Sequence, residues 1–265
     1  MVKIKYISVL VCFMSLFGCY QVSDADLFED YEQKIVIEGQ ISNLPPPYYV
    51  NVSYSANSND KVDYHPISNA QIIVSDNNGN SEVFQLLKPG VFVINEMIGI
   101  PGTKYTLYVS VNNLAYTATE VMPQPCVVLK SEIKHLTMFV SDTGNYIKLY
   151  IKKDNDLTNY YRLVVSKNDS IYNGYNDLII FDDAFANDTV KYLVPYVFMV
   201  NDTVDIDLHA ISYNMYKYYY ALNKQTNNTF SNIQTPLKNP PTNVTNSALG
   251  YFHVSSVTQL ELIIE

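Results

Sequence analysis

From Gln33 onward the chain alternates apolar and polar residues with a period of two, the pattern of strands that bury one face. Lys34–Ile41 (KIVIEGQI) sets Ile35, Ile37 and Gly39 against Val36 and Glu38. Pro45, Pro46 and Pro47 end that run, because proline cannot donate to a ladder. Tyr49–Ser55 alternates strictly, and a polar loop separates it from AQIIVSD, which runs into Asn77-Asn78-Gly79-Asn80. Asn-Gly between two such runs predicts a hairpin. SEVFQLL returns, Pro89-Gly90 turns the chain into VFVI, and KYTLYVSV and LAYTATEV follow around Asn112-Asn113. Seven or eight short strands with turns at this spacing predict an immunoglobulin-like sandwich.

Met122-Pro123-Gln124-Pro125 reads as a short stiff linker. Beyond it the pattern predicts strands over Glu132–Phe139, Tyr146–Ile151, Tyr160–Val165, Leu178–Phe181, Tyr192–Phe198 and Val204–Ile211. The period then changes. Ser212 is a natural helix N-cap, and YNMYKYYYALNKQT follows. At about 100° per residue, Met215, Tyr218, Tyr219 and Leu222 share one face. Tyr213, Lys217, Tyr220 and Lys224 share the opposite one. Two closing strands are expected near Gly250–Val254 and Val257–Ile264. The expected fold is mainly β, with two sandwich-type domains: an immunoglobulin-like one over 33–122 and a second β domain over 126–265 that carries a helix at 213–226.

The N-terminal stretch changes the picture of where the protein works. Lys3 and Lys5 precede an apolar run, Ile7–Phe17, that is too short to span a bilayer and has the build of a secretory signal. Leu16-Phe17-Gly18-Cys19 resembles the bacterial lipobox, in which the cysteine thiol takes a diacylglycerol and the chain is cut before it. Residues 1–18 are therefore expected to be a leader, Cys19 a lipid anchor and 19–32 an acidic tether. Asp24 and Asp26 follow closely on the cysteine, an arrangement that resembles the surface-export signal of Bacteroidota lipoproteins. No cofactor beyond the covalent lipid on Cys19 is expected.

Charge narrows the partners. The full chain carries a net charge of −9. Beyond the leader, 15 basic side chains stand against 26 acidic ones, a net −11. An acidic surface argues against nucleic acid and anionic lipid as ligands. Arg162 is the one arginine, so an arginine cluster for phosphate is excluded. Cys126 is left without a partner once Cys12 leaves with the leader and Cys19 is lipidated, and it reads as a small buried apolar side chain.

Hydrolase, zincin, P-loop and dinucleotide motifs do not occur, so no catalytic residues are assigned and the chain is not expected to be an enzyme. Asp205, Asp207 and His209 alternate along one strand face and have metal-ligand chemistry, but a solvent-facing row opposite Val204, Ile206 and Leu208 explains them as well. Asp182, Asp183 and Asp188 lack the spacing of a calcium loop and read as loop acids, so no metal is assigned. Ser170, Thr189 and Thr203 each follow an aspartate and precede an apolar residue, a pattern that resembles Bacteroidota O-glycosylation sites. Twenty-four tyrosines suit both strands and binding surfaces. Tyr213 and Tyr220 beside Lys217 and Lys224 form a candidate partner contact.

Several segments, in order, resemble the Bacteroidota outer-membrane lipoproteins grouped as domain-of-unknown-function family 4249. They are IVIEGQI, AQIIVSDNNGN, PGTKYTLYV with AYTATEVMP, LHAISYNMYKYYYALNKQ and TNVTNSALGYFHVSS. The family's N-G-x-G-Y-F-like signature keeps its second glycine here, as Gly250. The resemblance implies an outer-membrane lipoprotein facing the cell exterior beside a β-barrel such as a TonB-dependent receptor. It supplies no catalytic residues. The expected role is a non-enzymatic accessory or binding subunit in nutrient capture. A stand-alone carbohydrate- or peptide-binding module and a structural or adhesive surface protein are the alternatives.

Overall fold

The computed structural model describes residues 33–56, 65–137, 143–153, 157–174, 177–227 and 239–265. Leu16, Phe17, Gly18, Cys19 and the tether lie outside the described residues. The first half supplies β1 (Ile35–Ser42), β2 (Tyr48–Tyr54), β3 (His65–Pro66), β4 (Gln71–Asp76), β5 (Ser81–Val83), β6 (Gln85–Lys88), β7 (Val91–Ile94), β8 (Lys104–Val111) and β9 (Leu114–Val121). The second supplies β10 (Val128–Thr137), β11 (Thr143–Lys152), β12 (Tyr160–Lys167), β13 (Ser170–Tyr172), β14 (Ile179–Asp182), β15 (Thr189–Leu193) and β16 (Thr203–Ile211). The helix α1 (Tyr213–Asn227) and β17 (Phe252–Ile263) complete it.

The protein is mainly β, with one helix near the C-terminal end. A large sheet runs β13-β12-β16-β17-β1-β2-β7-β6, with β14 on β12 and β3 on β2. Two smaller sheets cover it: β5-β4-β8-β9 and β10-β11-β15. Ile37, Val50, Val52 and Phe92 from the large sheet share one core with Ile72, Val74, Leu107 and Val109 from the first cover. Leu163, Val165, Ile206 and Leu208 share a second core with Ile147, Leu149 and Ile151 of β11.

The period-two pattern thus places residues on the faces expected of it, but the division into two separate sandwiches needs correction. The linker 123–125 separates two cores, not two sheets. The reason is β17. Its first residues pair in parallel with β1, from Gly39↔Phe252 to Ser42↔Ser255. Its remainder pairs antiparallel with β16, from Ala210↔Ser256 to Thr203↔Ile263. Phe252 and Val254 enter the first core, while Leu260 and Leu262 pack on the second. Ser256 and Thr258 also hold the linker itself, donating to the carbonyls of Pro123 (2.5 Å) and Cys126 (2.8 Å).

The two expected closing strands are accordingly one. β15 begins and ends earlier than expected, because Pro195 cannot continue a ladder. β13 was not expected. Asn168 and Asp169 hold φ of 48° and 64°, as a tight two-residue hairpin requires, and fold β13 back on β12. Gly250 lies just before β17 with φ 88°, where a Cβ would sit 2.2 Å from the Ile37 carbonyl oxygen. No other residue fits that close approach without displacement.

Candidate functional site

The helix stands on the outer face of the large sheet, opposite the two cores. Ser212 caps it, its Oγ accepting from the Met215 amide at 3.1 Å. The same hydroxyl donates to Glu120 Oε2 (3.0 Å), which also accepts from Tyr251 Oη (2.8 Å). Met215, Tyr218 and Tyr219 are buried against Ile211 and Tyr251, and Leu222 is half-buried, so the apolar stripe faces inward as its spacing predicts.

Between α1 and the far side of the sheet lies a cleft of about 740 Å³. Outward-pointing side chains of β1, β2, β12 and β17 form its floor: Glu38, Tyr49, Arg162 and His253 among them. Tyr218 and Tyr219 form its helical wall. At its centre Arg162 Nη1 donates to Tyr219 Oη at 2.6 Å, with the guanidinium 4.7 Å from the ring centroid. The Tyr219 hydroxyl lies 3.3 Å from His253 Nδ1, and the two rings stack at 5.2 Å. Tyr218 Oη donates to Glu38 Oε1 at 3.4 Å.

Burial, then the Arg162 charge, pushes the His253 imidazole down to about 3. His209, beside Arg162 across the β12–β16 ladder, is pushed down to about 3 by the same two causes in the same order. Both histidines are therefore neutral at pH 7, and a neutral His253 can accept the Tyr219 proton while Arg162 donates to that hydroxyl. Arg162 makes no ion pair with a carboxylate of the described residues. The cluster is a fixed positive charge set among neutral rings, in an acidic protein.

Tyr213 and Tyr220 are exposed on the other side of α1, at 54% and 47%. Lys217 lies over the Tyr213 ring (4.7 Å) and Lys224 over Tyr220 (4.6 Å), so the expected Tyr/Lys face exists as two cation–π pairs. Asp205, Asp207 and His209 do not converge. Asp205 is exposed, Asp207 accepts from Gln259 Nε2 (2.9 Å), and His209 Nδ1 contacts Ser255 Oγ (3.1 Å). Asp183 is a structural clamp, accepting from the Asn159 backbone and side chain and from Tyr161 Oη. Asp182 accepts from the Ala184 amide, and Asp188 is exposed.

Ser170 is exposed at the β12–β13 turn, while Thr189 and Thr203 are half-buried. The aspartate before Thr203 is itself committed: Asp202 accepts from the Met199 amide, from Asn168 and from Lys167, bonds that hold its carboxyl down to about 2. Cys126 is half-buried, and burial raises its thiol to about 12, away from nucleophile chemistry.

Sequence reasoning used Arg162 only to exclude a phosphate cluster and passed over Glu38 and His253. The available signal was their position on the polar phase of apolar strands. Which strands are neighbours could not be read from that phase.

Comparisons with known proteins add the following. No curated protein matches the chain. Among the solved structures that align with the chain are two of low similarity. One is a segment of two fibronectin type-III domains from chicken tenascin, 10% identical, covering 68% of this chain and 91% of its own, with a TM-score of 0.21. The other is the Yersinia pseudotuberculosis adhesin InvE, 14% identical, covering 67% and 55%, with a TM-score of 0.20. The model of the family described as "Domain of unknown function (DUF4249)" matches residues 22–261, across both cores and α1, and the chain belongs to that family.

Proposed function

We propose that this protein is a Bacteroidota surface lipoprotein, anchored in the outer membrane through Cys19, that serves a β-barrel receptor of the TonB-dependent class as a non-enzymatic binding subunit in nutrient capture. The observation that carries this reading is the cleft beneath α1. It is large enough for a small ligand, lined by rings and polar side chains, and centred on a cation without an ion-pair partner among the described residues. The Tyr213/Tyr220 face points away from it and leaves a second surface for the barrel. The lipobox and acidic tether supply an attachment that needs no spanning helix.

Affinity purification of the tagged full chain from detergent-solubilised outer membrane tests this. A barrel receptor should co-purify in comparable amount. Cys19→Ala should leave the protein unlabelled by a fatty-acid analogue and released from the membrane. Recovery of the protein alone would favour a stand-alone binding module, and recovery with fimbrial subunits an adhesin. Either result overturns the accessory role.

A further inference from the structure

The floor of the cleft is the face of a sheet and not its edge. β1 lies between β17 and β2, and β17 between β16 and β1, so their backbone donors and acceptors are used in the ladders. An extended peptide takes its affinity from main-chain hydrogen bonds at a free edge, and the strands β1, β2, β12 and β17 have none to give here; only β6, the end strand of the sheet, brings an edge to the cleft, through Leu87 and Lys88. The floor offers side chains instead. Gln40 and Asn51 supply amides, Glu38 a carboxylate, Lys88 an ammonium, and Tyr49 and Leu87 apolar surface that is 37% and 57% exposed. Apolar surface set among fixed polar groups suits the C–H faces and hydroxyls of a sugar.

Arg162 adds a second requirement. A half-buried guanidinium without a counter-charge is unfavourable, and its planar fork matches a carboxylate in two parallel bonds. One donor already holds Tyr219, which fixes the guanidinium in place, and the neighbouring histidines are uncharged. The remaining donors have no carboxylate partner among the described residues. We infer that the cleft takes an acidic oligosaccharide, with a uronate carboxylate paired to Arg162 and the sugar body resting on Tyr49. This rests on the binding-subunit reading and narrows its ligand class.

Calorimetric titration of the purified chain with trimers of galacturonate, mannuronate and glucuronate tests it, each against its carboxyl-reduced neutral counterpart. At least one uronate should bind, and its neutral counterpart should bind about tenfold to a hundredfold more weakly, the range expected for losing a charge-assisted hydrogen bond. Arg162→Gln should erase that discrimination, with its melting temperature recorded alongside. Because the uronate and neutral trimers are compared on the unaltered chain, the test does not depend on the variant folding. Equal binding of charged and neutral trimers, no binding of any uronate, or stronger binding of a glutamate tripeptide would each overturn the inference. None of these outcomes touches barrel co-purification, so failure of the ligand assignment and failure of the accessory role are separable.

Discussion

At the residue scale the site is organised around Arg162 and two neutral rings. His209 and His253 both titrate far below the ordinary histidine value of about 6.5, because burial and Arg162 disfavour their charged forms. Their contribution to pH dependence has a definite sign. Between about pH 6.5 and about pH 3 the unfolded chain binds protons that the folded chain does not, so stability falls as pH falls through that window and is flat above it. The slope is up to about 1.4 kcal/mol per pH unit for each histidine. Glu132 and Asp202, whose carboxyls are held down to about 2 by hydrogen bonds, lose their contribution only below about pH 4.5, outside the upper part of the window. Denaturant midpoints measured from pH 7 to pH 4.5 should therefore decline in the native chain, and His209→Gln should shallow the decline. An unchanged slope in the variant would show that His209 is not buried neutral. None of this was legible in the sequence, where His209 was one of a row with Asp205 and Asp207. The period-two phase placed it on the outer face, but it could not show that Arg162 would lie beside it across the β12–β16 ladder.

At the scale of elements, the strands and the helix were readable, and their partners were less so. Local signals set the hairpins: Asn78-Gly79 joins β4 to β5, and Asn112-Asn113 joins β8 to β9 with φ of 50° and 64°. The helix, its cap and its buried face follow from Ser212 and the spacing of Met215, Tyr218 and Tyr219. β17 is different, because its parallel pairing with β1 joins residues more than two hundred positions apart. Nothing local encodes such a pairing, and the proline-bearing linker suggested independence. The consequence is testable. Phe252 and Val254 are fully buried in the first core, and each such side chain contributes roughly 1.5–3 kcal/mol. Together they amount to a large share of the roughly 5–15 kcal/mol that stabilises an ordinary domain. A fragment of residues 33–122 lacks both, together with the strand that pairs β1. It should show no cooperative thermal transition by circular dichroism, while residues 33–265 should unfold in a single one. A cooperatively folding fragment would restore the two-domain division.

At the scale of the whole molecule, one shared sheet carries two surfaces of different character. The cleft gathers Glu38, Tyr49, Arg162 and His253 from strands of both halves and closes them with Tyr219 of α1. The opposite side of the same helix presents Tyr213 and Tyr220 under their lysines. With ligand proposed at the first surface and the barrel at the second, the two roles should be separable by mutation. The direct measurement is paired recovery from detergent-solubilised outer membrane, scoring on one preparation both the barrel that co-purifies and the oligouronate retained. Arg162→Gln should keep the barrel and lose the sugar. Tyr213→Ala/Tyr220→Ala should keep the sugar and lose the barrel, with melting temperature nearly unchanged. Loss of both by either variant at native stability, or loss of neither by both, would contradict the account.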